Sequence, residues 1–600
     1  MRERILYLLK TWLLTVITFL VAKITFLLIN HDGHAFTVTD VVEVLAHGLT
    51  LDLSTSLYFL ILPFLVSLLT IWWECKWLGT LLNVYYAIIS IALMTAFVAD
   101  TSLYPFWGFK LDAACLQYLE TPAEARASVS GGYMVARLII IIVGSILLCH
   151  LYTSIPRWTR KPTYRKGATL GDLLVIPLLI IGIRGGLDES TTNIGQVYYS
   201  QDQFLNHAAV NPVFSFFASL EKTANQNANY TFFSDEECTA LTKGLFTTES
   251  IGIDSLLNTS RPNVVVILME SCSNLFMKAM PNLNKLRQEG VWFSNCYGNS
   301  FRTDRGTVCT LSGYPSFPTM SVMKMPKKTA SLPSIARTLQ GEGYHTHYLY
   351  GGDINFTNMR SYLVGTGWEK LTWKADYTTD EQNSAKWGVR DDITFGALYD
   401  MIIQLPPDSI GERTLIGYST LSSHEPWDVP MKKYNDEKMN AFYYLDKCLG
   451  EFITKVKNTP QWENLLIVLI PDHGINYKEI DETHRERNHI PMVWTGGAVK
   501  QPRHINAFCN QTDLAATLLG QLGIGHEDFQ FSRDVLSQSY AKPFVMHCYN
   551  NGFSIVDSTG FMVYDLTPDH IAVNQSSQAE EWAKRGKAIL QLTAKDLNQR

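Results

Sequence analysis

Three apolar runs in the second half of the sequence end in residue types that commonly do chemistry. Glu270 follows NVVVILM, His424 follows TLIGYSTLSS, and the pair Asp472-His473 follows NLLIVLIP. Each run resembles a buried strand in length and in β-branched content. Because ligands of open α/β sheets bind beyond the carboxyl ends of the strands, these side chains are predicted to converge. Carboxylates and imidazoles together suit one divalent metal, Mn²⁺ or Zn²⁺.

A stretch that contains possible nucleophiles, Tyr297–Pro318, lies between the first two runs. It holds Thr303 and Cys309, and a threonine hydroxyl is a poor nucleophile at neutral pH unless a base or a metal activates it. Arg302 and Arg305 flank Thr303. These arginines could hold phosphate oxygens, or they could form structural ion pairs with Asp304 or other groups.

The order of these motifs resembles the alkaline phosphatase superfamily, which includes arylsulfatases, phosphoethanolamine transferases and lipoteichoic acid synthases. In arylsulfatases a Cys in C-x-P-S-R is converted to an aldehyde nucleophile, and a Thr-Gly and then a Tyr-Pro follow. Here SGYP begins at Ser312, and the same spacing counted back leads to Thr303. Cys309 precedes Thr-Leu-Ser rather than x-Pro-Ser-Arg. The resemblance therefore implies a threonine nucleophile and no sulfatase aldehyde.

The resemblance to lipoteichoic acid synthases extends over almost the whole chain, including TLSSHEPW, the DHG strand end and FSRDVL. It implies a covalent phospho-threonine intermediate at Thr303 and a headgroup contact from His424, which could serve as general acid or base. It also implies a single divalent-metal site. The implied metal ligands are Glu270, Thr303, Asp472 and His473.

The headgroup region departs from this family. Lipoteichoic acid synthases carry a His-Gly pair and a Trp-Asn-Arg run that bind glycerol phosphate. When the two are aligned on Gly367, the corresponding positions here hold Tyr350, Thr357 and Met359. Arg360 is one residue away and could substitute, and Asp353 would give a different polar pocket. Alternatively, Tyr350 and Asp353 are strand-end and turn residues.

Two histidines follow the last of the three strands, in DETHRERNHIP. Phosphoethanolamine transferases use a further histidine in this region for metal or substrate. His484 and His489 are therefore candidate substrate-binding residues, and the alternative is that they are loop or core residues. Trp387 either walls the pocket or packs in the core.

The elements that position this site begin with an apolar first third. Five stretches there are each near the ~20 residues that cross a bilayer as a helix. The first is too long for a signal peptide and is predicted to be retained. Lys10 and Lys23 interrupt it, and they are predicted to be snorkelling lysines or a kink, or else a lipid-headgroup contact. The five stretches are Ile5–Ile29, Leu49–Trp73, Leu78–Val98, Tyr133–Tyr152 and Leu170–Leu187.

Charges in the loops predict the orientation of these helices. Arg2 and Arg4 precede the first stretch, and the loop 154–167 holds Arg157, Arg160, Lys161, Arg165 and Lys166. The loop between the third and fourth stretches is acidic, with Asp100, Asp112, Glu120 and Glu124. The sequence therefore predicts a multi-pass protein of the cell (inner) membrane with a cytoplasmic N-terminus. Everything after about residue 188 would be extracytoplasmic, where disulfides are permitted, although buried free thiols are equally compatible.

From Arg261 onward, short apolar runs alternate with helical stretches, which is typical of an α/β domain with a mostly parallel sheet. The predicted fold is α/β, with an N-terminal five-helix transmembrane bundle and an alkaline-phosphatase/sulfatase-like domain whose central sheet lies between helices. The predicted domains are a transmembrane domain 1–189, a helical linker 190–259 and an extracytoplasmic catalytic domain 260–600.

Composition adds an exclusion. The net charge is −6 and no basic stripe is present, so nucleic acid is not an expected partner.

The predicted function is a membrane-embedded transferase that moves glycerol phosphate from a phospholipid donor to an extracytoplasmic glycan or glycolipid acceptor. Phosphoethanolamine transfer is an alternative, since Cys309 follows Thr303 at a spacing reminiscent of disulfide-linked phosphoethanolamine transferases. Two further alternatives are a phosphodiesterase or other sulfatase-like hydrolase, and a non-enzymatic membrane sensor.

Overall fold

The computed structural model describes residues 1–600 except 32–34, 74, 108–109, 112, 117–130, 160, 227–229, 408–411 and 551. Asp112, Glu120, Glu124 and Arg160, on which the predicted orientation partly depends, lie outside the described residues. The chain forms two compact units, Met1–Gln226 and Asn227–Arg600. The predicted linker 190–259 is thus divided between them, and the predicted domain bounds stay predictions.

The first unit is helical. Five of its segments are long and apolar enough to span a membrane, with α5 and α6 together making the fifth. This confirms the five predicted stretches and indicates a membrane protein. Many apolar side chains are exposed along them, as expected of helices that face lipid. The helices are α1 (Arg2–Asn30), α2 (Val38–Leu69), α3 (Lys76–Trp107), α4 (Gly131–Thr153), α5 (Arg165–Leu173), α6 (Val175–Arg184), α7 (Gln203–Ala209) and α8 (Pro212–Gln226).

Lys23 corrects the prediction made for it. Helix α1 is continuous, and the Lys23 side chain is 1% exposed rather than extended to the membrane surface. Its Nζ lies 2.7 Å from Asp52 Oδ2 and donates to the Gly48 carbonyl at 2.8 Å. Asn211 Nδ2 donates to the other Asp52 oxygen at 2.8 Å. A lysine inside an apolar helix is thus neutralised by an aspartate of the neighbouring helix, because an unpaired charge would be costly there.

The second unit contains an eight-stranded sheet in the order β4-β3-β5-β1-β6-β7-β2-β8 and a four-stranded antiparallel sheet in the order β12-β11-β10-β9. Strand β7 pairs antiparallel with β6 and β2, and the other pairs of the large sheet are parallel. The strands are β1 (Asn263–Met269), β2 (Val291–Tyr297), β3 (Tyr344–Tyr350), β4 (Lys370–Trp373), β5 (Arg413–Ser419), β6 (Leu465–Pro471), β7 (Met492–Thr495), β8 (Arg503–Asn510), β9 (Val545–Tyr549), β10 (Gly552–Asp557), β11 (Gly560–Asp565) and β12 (His570–Ser576).

Helices cover both faces of the large sheet. All seven residues of β1 are buried, and alternate ones join two separate apolar cores: Val264, Val266 and Leu268 in one, and Val265, Ile267 and Met269 in the other. This is the pattern of a parallel strand between two helical layers. The helices are α9 (Asp235–Thr242), α10 (Pro281–Glu289), α11 (Thr303–Ser312), α12 (Pro326–Thr329), α13 (Ile335–Gly341), α14 (Met359–Gly365), α15 (Thr379–Gln382), α16 (Asp391–Ile403), α17 (Glu437–Lys457), α18 (Leu514–Gln521) and α19 (Ala579–Gln599).

The predicted α/β fold, with apolar N-terminal helices followed by a mostly parallel sheet, is confirmed. The register places Met269, the last residue of β1, opposite Pro471, the last residue of β6. On the other side of β1, Leu268 pairs with Ser419 of β5. Three neighbouring strands therefore end at the same edge, and the residues that follow them meet there.

Candidate active site at the carboxyl edge of the sheet

A buried acidic cluster lies where β1 and β6 end. Glu270, Asp472 and His473 are 3%, 1% and 7% exposed, and one ligand atom from each lies within 4.8 Å of the others. His473 Nε2 is 3.6 Å from Glu270 Oε1 and 3.6 Å from Asp472 Oδ2. The three predicted metal-ligating side chains are therefore brought together, and we call them the acidic cluster.

Ser271 fixes both carboxylates of the cluster. Its backbone N–H donates to Asp472 Oδ1 at 2.9 Å, and its hydroxyl donates to Glu270 Oε1 at 2.7 Å. To do so it adopts a φ of 58°, in the left-handed region that non-glycine residues seldom occupy. The sequence analysis missed this residue. The sequence pointed to Ser271 only through its position directly after Glu270. Nothing in the letters MESC predicts a serine with a left-handed backbone conformation.

The second oxygen of Asp472 provides a test of whether a cation fits. Oδ1 accepts the N–H groups of Ser271 and His473, whereas Oδ2 is buried without a hydrogen-bond partner among the described residues. A buried carboxylate oxygen left in this state is costly unless a cation neutralises it. Two carboxylates and one imidazole are also a donor set that Mn²⁺ and Zn²⁺ accept.

The tautomer of His473 agrees with this. Its Nδ1 lies 2.8 Å from the Gly474 carbonyl oxygen, which can only accept, so Nδ1 carries the proton. In the neutral ring, Nε2 then has its lone pair available on the side of the two carboxylates. This arrangement, in which one ring nitrogen donates to a carbonyl and the other is free to ligate, is usual for metal-binding histidines.

The pKa values of the cluster report an excess of negative charge. Burial and the charge of Glu270 raise the pKa of Asp472 to about 7. Burial by itself would lower the pKa of His473, but Asp472 and Glu270 raise it to about 9. Two buried carboxylates with oxygens within 4.8 Å of each other are costly to ionise together, so the site attracts a positive charge.

Thr303 is the first residue of α11, and its hydroxyl completes the site. Thr303 Oγ1 lies 3.2 Å from Glu270 Oε2 and 3.4 Å from His473 Nε2. The positive end of the helix dipole favours negative charge at this position.

Helix α11 also packs tightly on the residue that follows β6, because a Cβ added at Gly306 would lie 1.9 Å from the Asp472 carbonyl oxygen. Gly306 thus allows the backbone carrying Thr303 to approach the backbone carrying Asp472.

His424 lies on the loop after β5, and that loop is tied to the cluster. The Asp391 carboxylate accepts the N–H groups of Leu421 at 2.8 Å and Ser422 at 3.1 Å, and Ser423 Oγ donates to the Glu270 carbonyl at 2.6 Å. His424 Nδ1 donates to the Glu425 carbonyl at 2.8 Å, which leaves Nε2 as an acceptor.

His424 also acts on the cluster. Burial would raise the pKa of Glu270, but the hydrogen bond from His473 and the charges of His424 and His473 lower it to about 2. Trp387 lies against His424, with ring centroids 4.5 Å apart. Trp387 therefore borders the predicted site. Asp391, which holds the loop, was not singled out from the sequence, because only the tertiary fold brings it to the end of β5.

The two arginines beside Thr303 differ in their surroundings. Arg302 is 57% exposed, and its Nε is 3.9 Å from Asp304, so its guanidinium is accessible beside the nucleophile position. Arg305 instead donates to the carbonyls of Phe317 at 2.8 Å and Pro318 at 3.0 Å. Arg305 thus supports the turn that follows α11.

Asp353 and Arg360 lie beyond the end of β3, and Asn355 contacts both. Asp353 Oδ1 accepts the Asn355 N–H at 3.0 Å, and Arg360 Nε donates to Asn355 Oδ1 at 2.9 Å. Burial and the charges of Glu270, Asp353 and Asp472, among others, raise the pKa of Tyr350 well above its ordinary value. Tyr350 is therefore close to both Asp353 and the acidic cluster.

The two later histidines are placed differently. His484 is 51% exposed, and its Nδ1 is 3.2 Å from Asp481. His489 uses both ring nitrogens, at 2.9 Å from Glu486 Oε2 and 2.8 Å from the Ser294 carbonyl oxygen, and stacks on Tyr297. Neither belongs to the group of possible metal ligands found among the described residues.

Comparisons with known proteins agree with this architecture. Residues 262–524 match the family model described as Sulfatase. The chain is 24% identical over 304 residues to phosphoglycerol transferase I of Xanthomonas campestris pv. campestris, a match that covers 46% of this chain and 43% of the relative. It is 23% identical over 316 residues to lipoteichoic acid synthase 2 of Bacillus subtilis, covering 46% of this chain and 48% of the relative. The matches therefore span about half the length of these relatives.

A solved structure shows the same fold. It is a protein in the alkaline phosphatase superfamily from Vibrio parahaemolyticus, with a TM-score of 0.53 and 25% identity, and the match covers 62% of this chain and 97% of that one. The resemblance drawn from the Glu270, Thr303 and DHG motifs is thus confirmed. Residues 262–524 match the Sulfatase model and form a sulfatase-like domain, on a chain that also carries five helices able to span a membrane.

Proposed function

We propose that the protein is a membrane-anchored, metal-dependent phosphotransferase. It takes glycerol phosphate from a phospholipid, holds it on Thr303 and passes it to an extracytoplasmic glycan or glycolipid. The observation that carries this proposal is the position of the Thr303 hydroxyl, at a helix N-terminus and 3.2 Å from Glu270 within a buried acidic cluster. The names of the relatives, phosphoglycerol transferase and lipoteichoic acid synthase, support the class of reaction.

One divalent cation, Mn²⁺ or Zn²⁺, would be held by Glu270, Thr303, Asp472 and His473. The partnerless Asp472 Oδ2 supports this ligand set. So does the contact of His473 Nδ1 with the Gly474 carbonyl, because it makes Nε2 the atom that would bind the cation after losing its proton. When bound, such a cation lowers the pKa of a hydroxyl in contact with it and offsets the negative charge of a phosphodiester.

In the first half-reaction, Thr303 Oγ1 forms a bond to the phosphorus of the donor lipid. The bond from phosphorus to the diacylglycerol oxygen breaks, and that oxygen takes up a proton as diacylglycerol leaves. The hydroxyl proton of Thr303 passes to a nearby base. His424 suits both proton transfers, because its Nδ1 is engaged with Glu425 and its Nε2 can accept or, once protonated, donate.

In the second half-reaction, an acceptor hydroxyl attacks the phosphorus of phospho-Thr303. The acceptor hydroxyl gives its proton to a nearby base, the bond between phosphorus and Thr303 Oγ1 breaks, and Thr303 Oγ1 takes up a proton. Arg302, accessible beside Thr303, would contact the phosphate oxygens. Asp353 and Arg360 would contact the glycerol hydroxyls, since both lie beyond the end of β3 and close to Asn355.

Arg305, His484 and His489 are weaker candidates for substrate binding. Arg305 and His489 already bond backbone carbonyls, and His484 contacts Asp481 on an exposed loop. Their substitution is expected to affect substrate binding less than substitution of Arg302, Asp353 or Arg360.

The proposed topology follows the loop charges. The N-terminus and the loop 154–167 would be cytoplasmic, because Arg157, Lys161, Arg165 and Lys166 lie in that loop. Five crossings then put the sulfatase-family domain on the outer side of the cell membrane. That location suits a lipid donor in the outer leaflet and a surface glycan as acceptor.

The test is to detect the covalent intermediate. Full-length protein purified with Mn²⁺ is incubated with phosphatidylglycerol or with phosphatidylethanolamine, digested, and the peptide containing Thr303 is weighed. A glycerol-phosphate adduct is expected, absent in Thr303→Ala and present in Thr310→Ala. Thr310 lies on the same helix, and its hydroxyl donates only to the Gly306 carbonyl.

Other outcomes have defined meanings. A phosphoethanolamine adduct would keep the mechanism and change the donor. Release of free glycerol phosphate without an acceptor would indicate a hydrolase. Absence of any adduct on metal-loaded protein, with either lipid and with quenching on the millisecond scale, would refute the phospho-threonine step. Cys309 gives no separate support to the phosphoethanolamine alternative, since the structure has it as a buried free thiol.

A further inference from the structure

A cavity of about 470 Å³ lies at one end of the helical unit. It is formed where α1 begins, α2 ends, α3 begins and the loop after α4 returns. Four of the described lining residues are basic, and none is acidic. These are Arg4, Lys76, Arg157 and Lys161.

The two arginines of this cavity are built into the helix ends. The Arg4 guanidinium donates to the Thr70 hydroxyl at 2.7 Å and to the carbonyls of Ser67 and Thr70. Arg157 donates to the Gly79 carbonyl at 3.1 Å and to Asn83 Oδ1 at 2.5 Å. These contacts hold the arginines in place, so their positive charge does not depend on a bound partner to position it.

The same arginines are not fully hydrogen-bonded by the protein. The Nε–H of Arg4, a side chain that is 1% exposed, and the Nε–H of Arg157 are buried without acceptors among the described residues. Glu3 and Asp172 interact electrostatically with Arg4 and offset part of the positive charge. Lys76 has an exposed ammonium, and Lys161 adds a fourth cation. The balance still favours an anion with several acceptor oxygens, which a phosphate group provides.

The remaining walls are apolar and aromatic. Leu78 and Leu82 are buried at 3% and 1%, and Arg4 lies over the Trp158 ring at 4.6 Å. Trp73 is 60% exposed on the same rim. Tryptophans and basic residues at the end of an apolar bundle mark the level of the lipid headgroups.

We propose that this cavity binds one anionic phospholipid, with its phosphate among the four basic residues and its acyl chains along α2 and α3. This would be a second lipid site, separate from the donor site of the proposed function and not dependent on it. In the proposed topology it faces the cytoplasmic leaflet, whose anionic lipids attract such clusters. Its occupant would hold the ends of α1, α2 and α3 together.

The test uses full-length Thr303→Ala protein, so that no lipid is consumed. Native mass spectrometry measures the binding of phosphatidylglycerol, and thermal unfolding measures the stabilisation it brings. The test variant is Lys76→Gln/Lys161→Gln, which leaves the two structural arginines in place. The matched control is Arg165→Gln/Lys166→Gln, which removes the same charge from exposed positions that are not among the lining residues.

We expect the test variant to bind phosphatidylglycerol roughly 30-fold more weakly, which is the effect of about 1 kcal/mol for each basic residue. Its unfolding temperature without lipid should equal that of the parent protein, and the control should bind as the parent does. If the test variant unfolds early, Lys76→Gln alone is used, with roughly a fivefold loss expected on the same scale.

Three outcomes would overturn the proposal. If phosphatidylcholine bound as tightly as phosphatidylglycerol, the cavity would be an apolar groove that does not select an anionic headgroup. Equal loss in the control variant would mean diffuse surface charge rather than a site. Protection by inorganic phosphate or soluble glycerol phosphate as large as that by the lipid, and lost in the same variant, would make the ligand a soluble phosphate compound.

Discussion

Two groups of buried charges in the second unit differ in how far their own chain neutralises them. Asp513 is met by the Arg533 guanidinium through two bonds, of 2.9 and 2.6 Å, and by the backbone N–H groups of Asn510 and Arg533. In the acidic cluster, Glu270 and Asp472 share only His473, and Asp472 Oδ2 has no partner among the described residues. The charges of the first pair balance, although Arg533 Nη1 has no hydrogen-bond partner among the described residues, whereas the second group lacks positive charge.

The difference separates structural charges from functional ones. A buried ion pair whose charges balance holds neighbouring segments in register and needs no added ion. A buried group with excess negative charge is stable only with an added cation or proton. FSRDVL and the DHG strand end look equally distinctive in the sequence, but only the second lies in a group whose negative charge the described residues leave unbalanced.

The largest expected effect separates chemistry from stability. Thr303→Ala should lower transfer activity by at least ~10³-fold, because the proposed nucleophile is lost. Its free energy of unfolding should change by less than about 1 kcal/mol, since Thr303 is only partly buried. Thr310→Ala on the same helix is the control and should keep its activity. Substantial activity in Thr303→Ala would remove the basis of the proposed mechanism.

The next prediction tests the comparison itself, in metal-free protein. Asp513→Asn should lower the free energy of unfolding by about 3–5 kcal/mol, because it leaves Arg533 buried without a counter-charge. Asp472→Asn should cause no loss, or a gain, because it relieves repulsion from Glu270. Denaturant unfolding of the two variants gives the answer. Equal losses would show that the two groups do not differ in the way described.

Metal removal should act on the cluster alone. At a free Mn²⁺ or Zn²⁺ concentration 100 times the dissociation constant, bound metal stabilises the folded state by about 2.7 kcal/mol, and exhaustive chelation should remove this together with activity. Asp472→Asn should abolish the stabilisation, and Asp513→Asn should retain it. Metal stabilisation that survives in Asp472→Asn would place the ion elsewhere.

The smallest effect concerns pH. Glu482 contacts His547 at 3.0 Å and Arg487 at 3.2 Å. Burial would raise the pKa of Glu482, but these partners lower it to about 2. Because the pKa is lower in the folded state, Glu482 stabilises the protein above about pH 4.5, by about 3 kcal/mol, and this contribution is lost as the pH falls toward 2. About 2 kcal/mol of it is lost between pH 5 and pH 3.

Glu482→Gln should therefore lose less stability between pH 5 and 3 than the parent protein. Glu479→Gln, at an exposed position on the same loop, should behave as the parent. If Glu482→Gln lost as much stability between pH 5 and pH 3 as the parent protein, the paired charge of Glu482 would contribute nothing to stability. Thermal unfolding in buffers across this range provides the measurement.

Much of the candidate site could be predicted from local sequence. Glu270, Asp472 and His473 each end an apolar run, and parallel strands bring such ends to one edge whatever their order in the sheet. The details that depend on tertiary contacts could not be predicted. The left-handed Ser271, the support of the His424 loop by Asp391, and the pairing of Lys23 with Asp52 each join residues whose contact no local pattern reveals.

Gly306 has a consequence for the order of events. A Cβ at Gly306 would lie 1.9 Å from the Asp472 carbonyl oxygen, so the first turn of the helix that bears Thr303 packs directly on the backbone of Asp472. A phosphoryl group on Thr303 would therefore lie beside the acidic cluster. If the proposed mechanism holds, the first product leaves and the acceptor enters at this one site in turn. We therefore expect ping-pong kinetics, with each substrate competing against the product of the other half-reaction.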